Sequence, residues 1–329
     1  MEEIKKYTVG GEPMIRFYEA GELFNVSPFL GETLARYPVE GACGDVLFPP
    51  IRVNRGPLGN VPIFGQSDNR LEPTERSPGV EPNLVGVDVT SVRVHMKSRA
   101  VASWIPVEYE RADEESWQLR KSSALHNQGL LVLDKEKKAA AFCNSPSNVS
   151  TAFVPNSAWN ASANAGDAVK HIETLFSHVG SSAGLRPDRL VFGTEAWTMF
   201  CSNSSAISRT GGFVTQQRVA ELFRVNTVGI SEIRANVGVG VNVRRYSPVF
   251  PGDVVVAFRA GNPGAFEGRW AMTAVWRPTR YEFPGRYLAE LHQYSRRNSS
   301  TKVEVGTWEA EAIIDPQLGA IIKGVGSAQ

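Results

Sequence analysis

The clearest hydrophobic pattern in the chain lies between Leu185 and Asn236, LRPDRLVFGTEAWTMFCSNSSAISRTGGFVTQQRVAELFRVNTVGISEIRAN. It predicts a short buried strand at Leu190 to Phe192, a helix from Thr194, a Gly-Gly loop at Gly211 and Gly212, a helix from Thr215 and a strand from Thr227 to Ile230. Upstream, the stripe Trp117, Ala124, Leu125, Leu131 and Val132 predicts a long helix over Arg111 to Phe142. Asp113, Glu114 and Glu115 fall in its first turn and Lys135, Lys137 and Lys138 near its end, as the helix dipole favours. Gly129 weakens that helix at its middle, by about 1 kcal/mol against alanine. Val169, Ile172, Leu175, Phe176 and Val179 mark a second helix, with Gly180 as its stop. Asp253 to Phe258 reads as a buried strand and Gly319 to Ile322 as another. Val303 to Asp315 alternates, with Val303, Val305, Thr307, Glu309, Glu311 and Ile313 on one side; its two glutamates are expected on a polar face. Tyr281 to Tyr294 gives no assignable pattern.

The first quarter of the chain is different. Ten of the 20 prolines fall before residue 83, and no helical period is sustained there. Proline fixes φ and removes backbone donors, so this region should run extended with short helical or strand pieces. Pro38 to Gly65 alternates apolar runs with Gly and Pro, predicting strand pieces and tight turns. Gln66 to Asn83, QSDNRLEPTERSPGVEPN, is polar throughout. A loop this long without a pattern is uncommon in a compact domain unless it has a task. Val85 to Val107 alternates again around an expected bulge, as a strand returning from that loop would.

Length and composition narrow the picture. With 329 residues and 42% apolar content, the chain is globular and large enough for two or three structural units. Thirty-five basic residues against 34 acidic ones leave a net charge of +1, and no block of like charge occurs. That argues against a protein that reads bases or grips phosphates strongly, though not against one that merely encloses nucleic acid. Cys43, Cys143 and Cys201 are odd in number and far apart, which points to reduced thiols and not to disulfides or zinc. The N-terminus has no apolar signal region, and no window approaches a membrane span.

Candidate chemistry is thin. Gly180-Ser-Ser182-Ala-Gly184 is a literal G-x-S-x-G, but helical pattern precedes it and a strand follows, the reverse of a nucleophile elbow; only His292 lies beyond it as a base. Gly238-Val-Gly240 has no helix after it to offer amides to a phosphate. His171 and His178 are seven apart, too far for a two-histidine metal pair, and one or both are expected at the surface or an interface. No nucleophile, base and orienter can be assembled, so no catalytic, metal or cofactor site is expected.

The patterned stretches carry a resemblance. Leu190, Val191, Trp197, Gly212, Val214, Thr215, Ala220, Glu221, Leu222, Phe223 and Val225 resemble the axial domain of tailed-bacteriophage major capsid proteins. Leu47, Phe48, Pro49, Pro50 and Val53, then Gly59, Pro62, Phe64 and Gly65, are similar to that family's N-terminal arm leading into its extended loop. The resemblance, to the Hong Kong 97-type fold and its major capsid protein E-like family, implies an α+β subunit in five parts. These are an arm (1–58), an extended β-hairpin loop (59–97), a peripheral domain with a spine helix at about 112–142 (98–185), an axial domain (186–265) and a return to the peripheral domain (266–329). It implies a structural protein, not an enzyme, assembling as pentamers and hexamers into an icosahedral shell around double-stranded DNA, in the virion, after assembly in the host cytoplasm. A scaffolding protein, portal and decoration protein are the other partners it implies. Some relatives carry a helical scaffolding segment ahead of the arm; here the arm-like pattern begins close to Met1, so a separate scaffolding protein or none is expected. Arg70, Glu72, Glu75, Arg76 and Glu81, near the loop's tip, are the expected subunit-interface charges. An encapsulin-like nanocompartment shell is the alternative on the same fold, and an α/β serine hydrolase using Ser182 the weaker one.

Overall fold

The computed structural model of the protein describes residues 5–9, 12–19, 22–53, 58–64, 89–112, 116–159, 166–238, 244–261, 268–276, 286–293 and 300–326. Its strands are β1 (Lys5–Val9), β2 (Glu12–Glu19), β3 (Glu22–Val26), β4 (Pro50–Val53), β5 (Leu58–Phe64), β6 (Val89–His95), β7 (Lys97–Pro106), β8 (Thr151–Phe153), β9 (Arg189–Gly193), β10 (Thr227–Ser231), β11 (Arg234–Asn236), β12 (Tyr246–Pro248), β13 (Val255–Phe258), β14 (Ala271–Trp276), β15 (Leu288–Gln293), β16 (Ser300–Ile313) and β17 (Gly319–Ile322). Its helices are α1 (Pro28–Arg36), α2 (Gly44–Leu47), α3 (Val107–Ala112), α4 (Ser116–Asn144), α5 (Ala168–Ala183), α6 (Thr194–Ser202), α7 (Ser204–Arg209) and α8 (Gln216–Phe223).

The Leu185 to Asn236 stretch folds as its pattern predicts, and it supplies two strands of a five-stranded sheet. That sheet runs β10-β9-β13-β17-β8, with β9 and β10 parallel across the α6–α7–α8 crossover. β8, β13 and β17, drawn from either side of the stretch in sequence, complete it. Gly193 ends β9 where only glycine fits: a Cβ there would lie 2.2 Å from the Pro251 carbonyl oxygen and 2.5 Å from that of Gly252. This lets the strand turn directly into α6. The Gly-Gly loop takes positive φ at both glycines, 73° and 95°. Thr215 caps α8 by accepting from Arg218 N–H at 3.3 Å. Leu190, Phe192, Val255 and Ile322 of the sheet meet Ile172, Leu175, Phe200, Val219 and Phe223 of the helices in one dry core.

The second sheet has eight strands, in the order β1-β2-β3-β15-β16-β14-β4, with β7 on the other edge of β16. β16 is its axis, 14 residues long; β7 pairs with 300–309, while β15 and β14 share the opposite edge over 301–306 and 308–313. One face of this sheet packs on α1 and α4 through Leu30, Leu34, Ile105, Ala124, Leu131, Leu291, Val303 and Val305. The other face is covered at its β14 end by the root of the β5–β6 hairpin, through Val61, Val94 and Met96. α1 starts where Ser27, whose N–H donates to the Ala289 carbonyl, caps Leu30 N–H and Pro28 presets φ.

α4 is the predicted long helix, 29 residues, with Gly129 inside it. The acidic triplet 113–115 lies outside the described residues, and Val107–Ala112 forms its own short helix. The apolar stripe was short because α4 also buries polar side chains against its neighbours. Asn127 donates to the Val303 carbonyl at 3.0 Å and accepts from Ser103 Oγ at 2.6 Å, while Gln128 donates to the Leu34 carbonyl at 3.0 Å.

Two expectations are corrected and one unassigned section is placed. α5 does not stop at Gly180; it continues to Ala183, and Gly184 is the cap, at φ 67° with its N–H on the Gly180 carbonyl. Glu309 and Glu311 do not sit on a polar face: their side chains are 2% and 4% exposed. The unassigned section around residue 290 contains β15, the fourth strand of the large sheet.

Candidate functional site

The segments that the sequence marks for reaching beyond the subunit are the arm and the loop after β5. The β5–β6 hairpin is paired from Leu58↔His95 to Phe64↔Val89. Arg70, Glu72, Glu75, Arg76 and Glu81 lie outside the described residues.

Around α2, β7, β16 and the middle of α4, charges converge. Arg99, two residues into β7, forks onto Glu311 through bonds of 2.7 Å and 2.7 Å and reaches Glu309 at 3.2 Å. Arg286 pairs with Glu309 and, at 2.5 Å, with Asp45 of α2. Lys135 of α4 pairs with Asp45, and Lys138 with Asp134, which stands 4.0 Å from Arg99. The cluster holds four cations and four anions, so it is balanced. One turn of α4 thereby links α2, β7, β16 and residue 286, which come from four distant parts of the chain.

The electrostatics follow from burial against pairing. Burial pushes the Glu311 carboxyl up, but Arg99 outweighs it and holds Glu311 below the usual carboxylate range. Asp45 is likewise lowered, with burial opposed by Lys135 and Arg286. Lys135 is pushed down to about 8, chiefly by burial and then by Arg286, with Asp45 opposing. Beside it, Glu136 is fully buried and accepts the Gly44 N–H and the Ser231 hydroxyl, the latter at 3.3 Å. Burial raises its pKa despite those donors.

Among the described residues, the G-x-S-x-G does not form a nucleophile elbow. Ser182 sits in the last turn of α5, and its hydroxyl donates to the Val179 and Gln317 carbonyls at 3.2 and 3.3 Å. That is a helix-end serine, not one raised on a strand-to-helix elbow. The side chain of His292 lies outside the described residues. His178 is exposed, whereas His171 is half-buried against Trp159. Burial pushes the Cys43 and Cys143 thiols up, with Glu136 adding to it, and neither is poised as a nucleophile. Among the described residues no group of His, Cys, Asp and Glu is placed to hold a metal, and no helix is long and apolar enough to cross a membrane. Large apolar side chains do reach solvent: Phe213, on the Gly-Gly loop, is 74% exposed. Arg218 fixes that loop by donating to the Thr210 carbonyl at 2.8 Å and the Phe213 carbonyl at 3.3 Å.

Two large sheets, a long helix laid across one of them and the β5–β6 hairpin give an α+β chain with the fold of phage capsid structures. The chain is similar to the crystal structure of a phage-related protein from Bordetella bronchiseptica RB50, at a TM-score of 0.69 and 19% identity, covering 92% of this chain and 98% of that one. It is also similar to a virus-like particle from Pyrococcus furiosus (TM-score 0.52, 13% identity, 89% and 96% covered) and to the capsid of the cyanophage P-SCSP1u (0.50, 12%, 85% and 87%). No family model and no curated protein matches the chain.

Proposed function

We propose that this chain is the major capsid protein of a tailed bacteriophage, a structural subunit that assembles with copies of itself into a closed icosahedral shell around double-stranded DNA. The observation that supports it most is a fold shared over 92% of this chain and 98% of a phage-related protein, and also with a virus-like particle and a cyanophage capsid. In this reading α4 is the spine helix of the peripheral domain, the Leu185 to Asn236 unit lies in the axial domain, and the arm (1–58) and loop (59–97) reach across neighbours. Heterologous contacts that close produce the shell, and such contacts bury on the order of several thousand Å² per subunit. The buried charge cluster supplies a fixed root for two segments that must adapt to unequal surroundings. Scaffolding, portal and decoration proteins are the partners this reading implies.

Electron microscopy of the largest assembly from the native source tests it, with nuclease-protected nucleic acid assayed on the same fraction. Icosahedral shells holding DNA are expected. Shells filled only with protein would favour a nanocompartment, and a species of one to four subunits under all conditions would end the shell reading. Removal of residues 66–83 should leave a soluble, folded subunit that makes no shells; normal particles from that variant would remove the loop's role. Phe213→Ser should leave the subunit's melting temperature unchanged while weakening each contact it makes by about 2 kcal/mol, the scale for covering one phenylalanine. Sedimentation velocity then reads a shift from shells toward free subunits.

A further inference from the structure

Trp159 is fully buried, and its indole N–H donates to Nδ1 of His171 at 2.9 Å. An imidazole nitrogen accepts only while it carries no proton, so this bond requires neutral His171 with its proton on Nε2. Nδ1 is then the sole site left for a second proton. Protonation would set two N–H donors against each other, one of them on a buried indole.

Several elements meet at this pair. Trp159 N–H donates to the Val325 carbonyl at 2.9 Å, its own carbonyl accepts from Asn203 Nδ2 at 3.4 Å, and Ala158 accepts from Gly166 N–H at 2.8 Å. Gly166 is packed so closely that a Cβ there would lie 2.9 Å from His171 Cε1. Residues 154–159 thus form a strap that follows β8, held at Ala158 and Trp159 by these backbone bonds and joined to α5 through the Trp159 indole.

We propose that the Trp159–His171 pair is an acid-sensitive latch: protonating Nδ1 removes the acceptor and frees the strap from α5 while both sheets stay folded. The charged groups around the imidazole are Asp167, which caps α5, and Lys170 on the same helix. Arg209 of α7 pairs with Asp167 at 3.8 Å and with Glu173 at 3.0 Å, so part of the Asp167 charge is already answered. β8 and α6 present rings: Phe153 lies 5.5 Å from the imidazole, and Phe200 packs edge-on against Trp159 at 6.1 Å. Lys323, next to β8, is turned to the Asn144 carbonyl. Burial lowers the imidazole pKa most, Asp167 opposes it and Lys170 adds to the lowering. The pair therefore contributes stability above the ordinary imidazole value of about 6.5, and loses it as pH falls through the lowered one.

Hydrogen exchange of the full chain, read by mass spectrometry and corrected for the intrinsic pH dependence, tests this at about pH 7.5 and about pH 5. Peptides covering 154–159 and the first turn of α5 should lose protection by about tenfold or more at the lower pH, while those of β9 and β13 keep theirs. His171→Gln offers an acceptor oxygen that does not titrate, so it should stay protected at both pH values; His171→Phe offers none and should be open at both. Equal acid loss in wild type and His171→Gln would overturn the latch, as would an unchanged strap at about pH 5 with the imidazole shown by NMR to be protonated. Wild type and His171→Gln decide the matter even if His171→Phe does not fold.

Discussion

Replacing Trp270 by alanine is expected to destabilise the subunit by about 3–5 kcal/mol, the range for truncating a large buried aromatic. Trp270 is fully buried at the junction of the two sheets. Its ring lies 5.2 Å from Phe258 at the end of β13 and 5.6 Å from Phe48, just after α2. The indole N–H donates to the Asn148 carbonyl at 2.7 Å, and the backbone carbonyl accepts from Ile314 and Asp315. Gly319 is glycine because of this ring: a Cβ there would sit 2.4 Å from Nε1. Alanine at 270 would leave a void that residues of both sheets line, and an unpaired Asn148 carbonyl. Trp270→Phe should cost less, about 1–3 kcal/mol, since it keeps most of the volume and loses the hydrogen bond. Urea unfolding of the unassembled subunit, followed by far-ultraviolet circular dichroism, gives both values. A loss below about 1 kcal/mol for the alanine variant would mean that the sheets do not depend on this junction.

Trp270 also shows where the sequence was silent. The β9–β10 part of the five-stranded sheet was legible because β9, α6, α8 and β10 follow one another, each with its own period, cap or glycine, and β13 and β17 were legible as apolar runs; β8, three residues in a Ser- and Asn-rich connector, was not. β14 was not, because all six of its residues are buried on both faces, and a strand without a polar side shows no alternation. β15 was missed for a different reason. It lies in a stretch of mixed Gly, Arg and aromatic residues, and its place is set by pairing with β16 and, at one residue, with β3. The glutamates of β16 carried a usable signal. Glu309 and Glu311 share parity with Val303 and Val305, which face the core, so the alternation itself pointed them inward. The reading as a polar face followed composition instead of parity. What no pattern could supply was the partners: Arg99, Arg286, Asp45 and Lys135 are brought together only by the fold. The five loop charges from Arg70 to Glu81 lie outside the described residues, and their role rests on the resemblance and on the deletion of 66–83.

Glu309→Ala is expected to cost about 3–5 kcal/mol, because it strands cations that the fold has already desolvated. Glu309 is 2% exposed, and its partners Arg99 and Arg286 are 18% and 12% exposed. With Glu309 gone, the cluster keeps four cations against three anions. Arg99 retains Glu311, but Arg286 retains only Asp45, which it must share with Lys135. The double variant Glu309→Met with Arg286→Met restores the balance at three of each and replaces the innermost pair by apolar side chains. It should recover most of the loss, since such swaps are often close to neutral. A double-mutant cycle therefore should return a coupling of about 2 kcal/mol or more between positions 309 and 286. Because the pair is buried, that coupling should persist in high salt, where exposed pairs such as Arg36 with Glu32 are screened. Additive losses would instead mean that each charge is held independently. In that case α2 and β7 would not share a common anchor, and loss of one contact would leave the other intact.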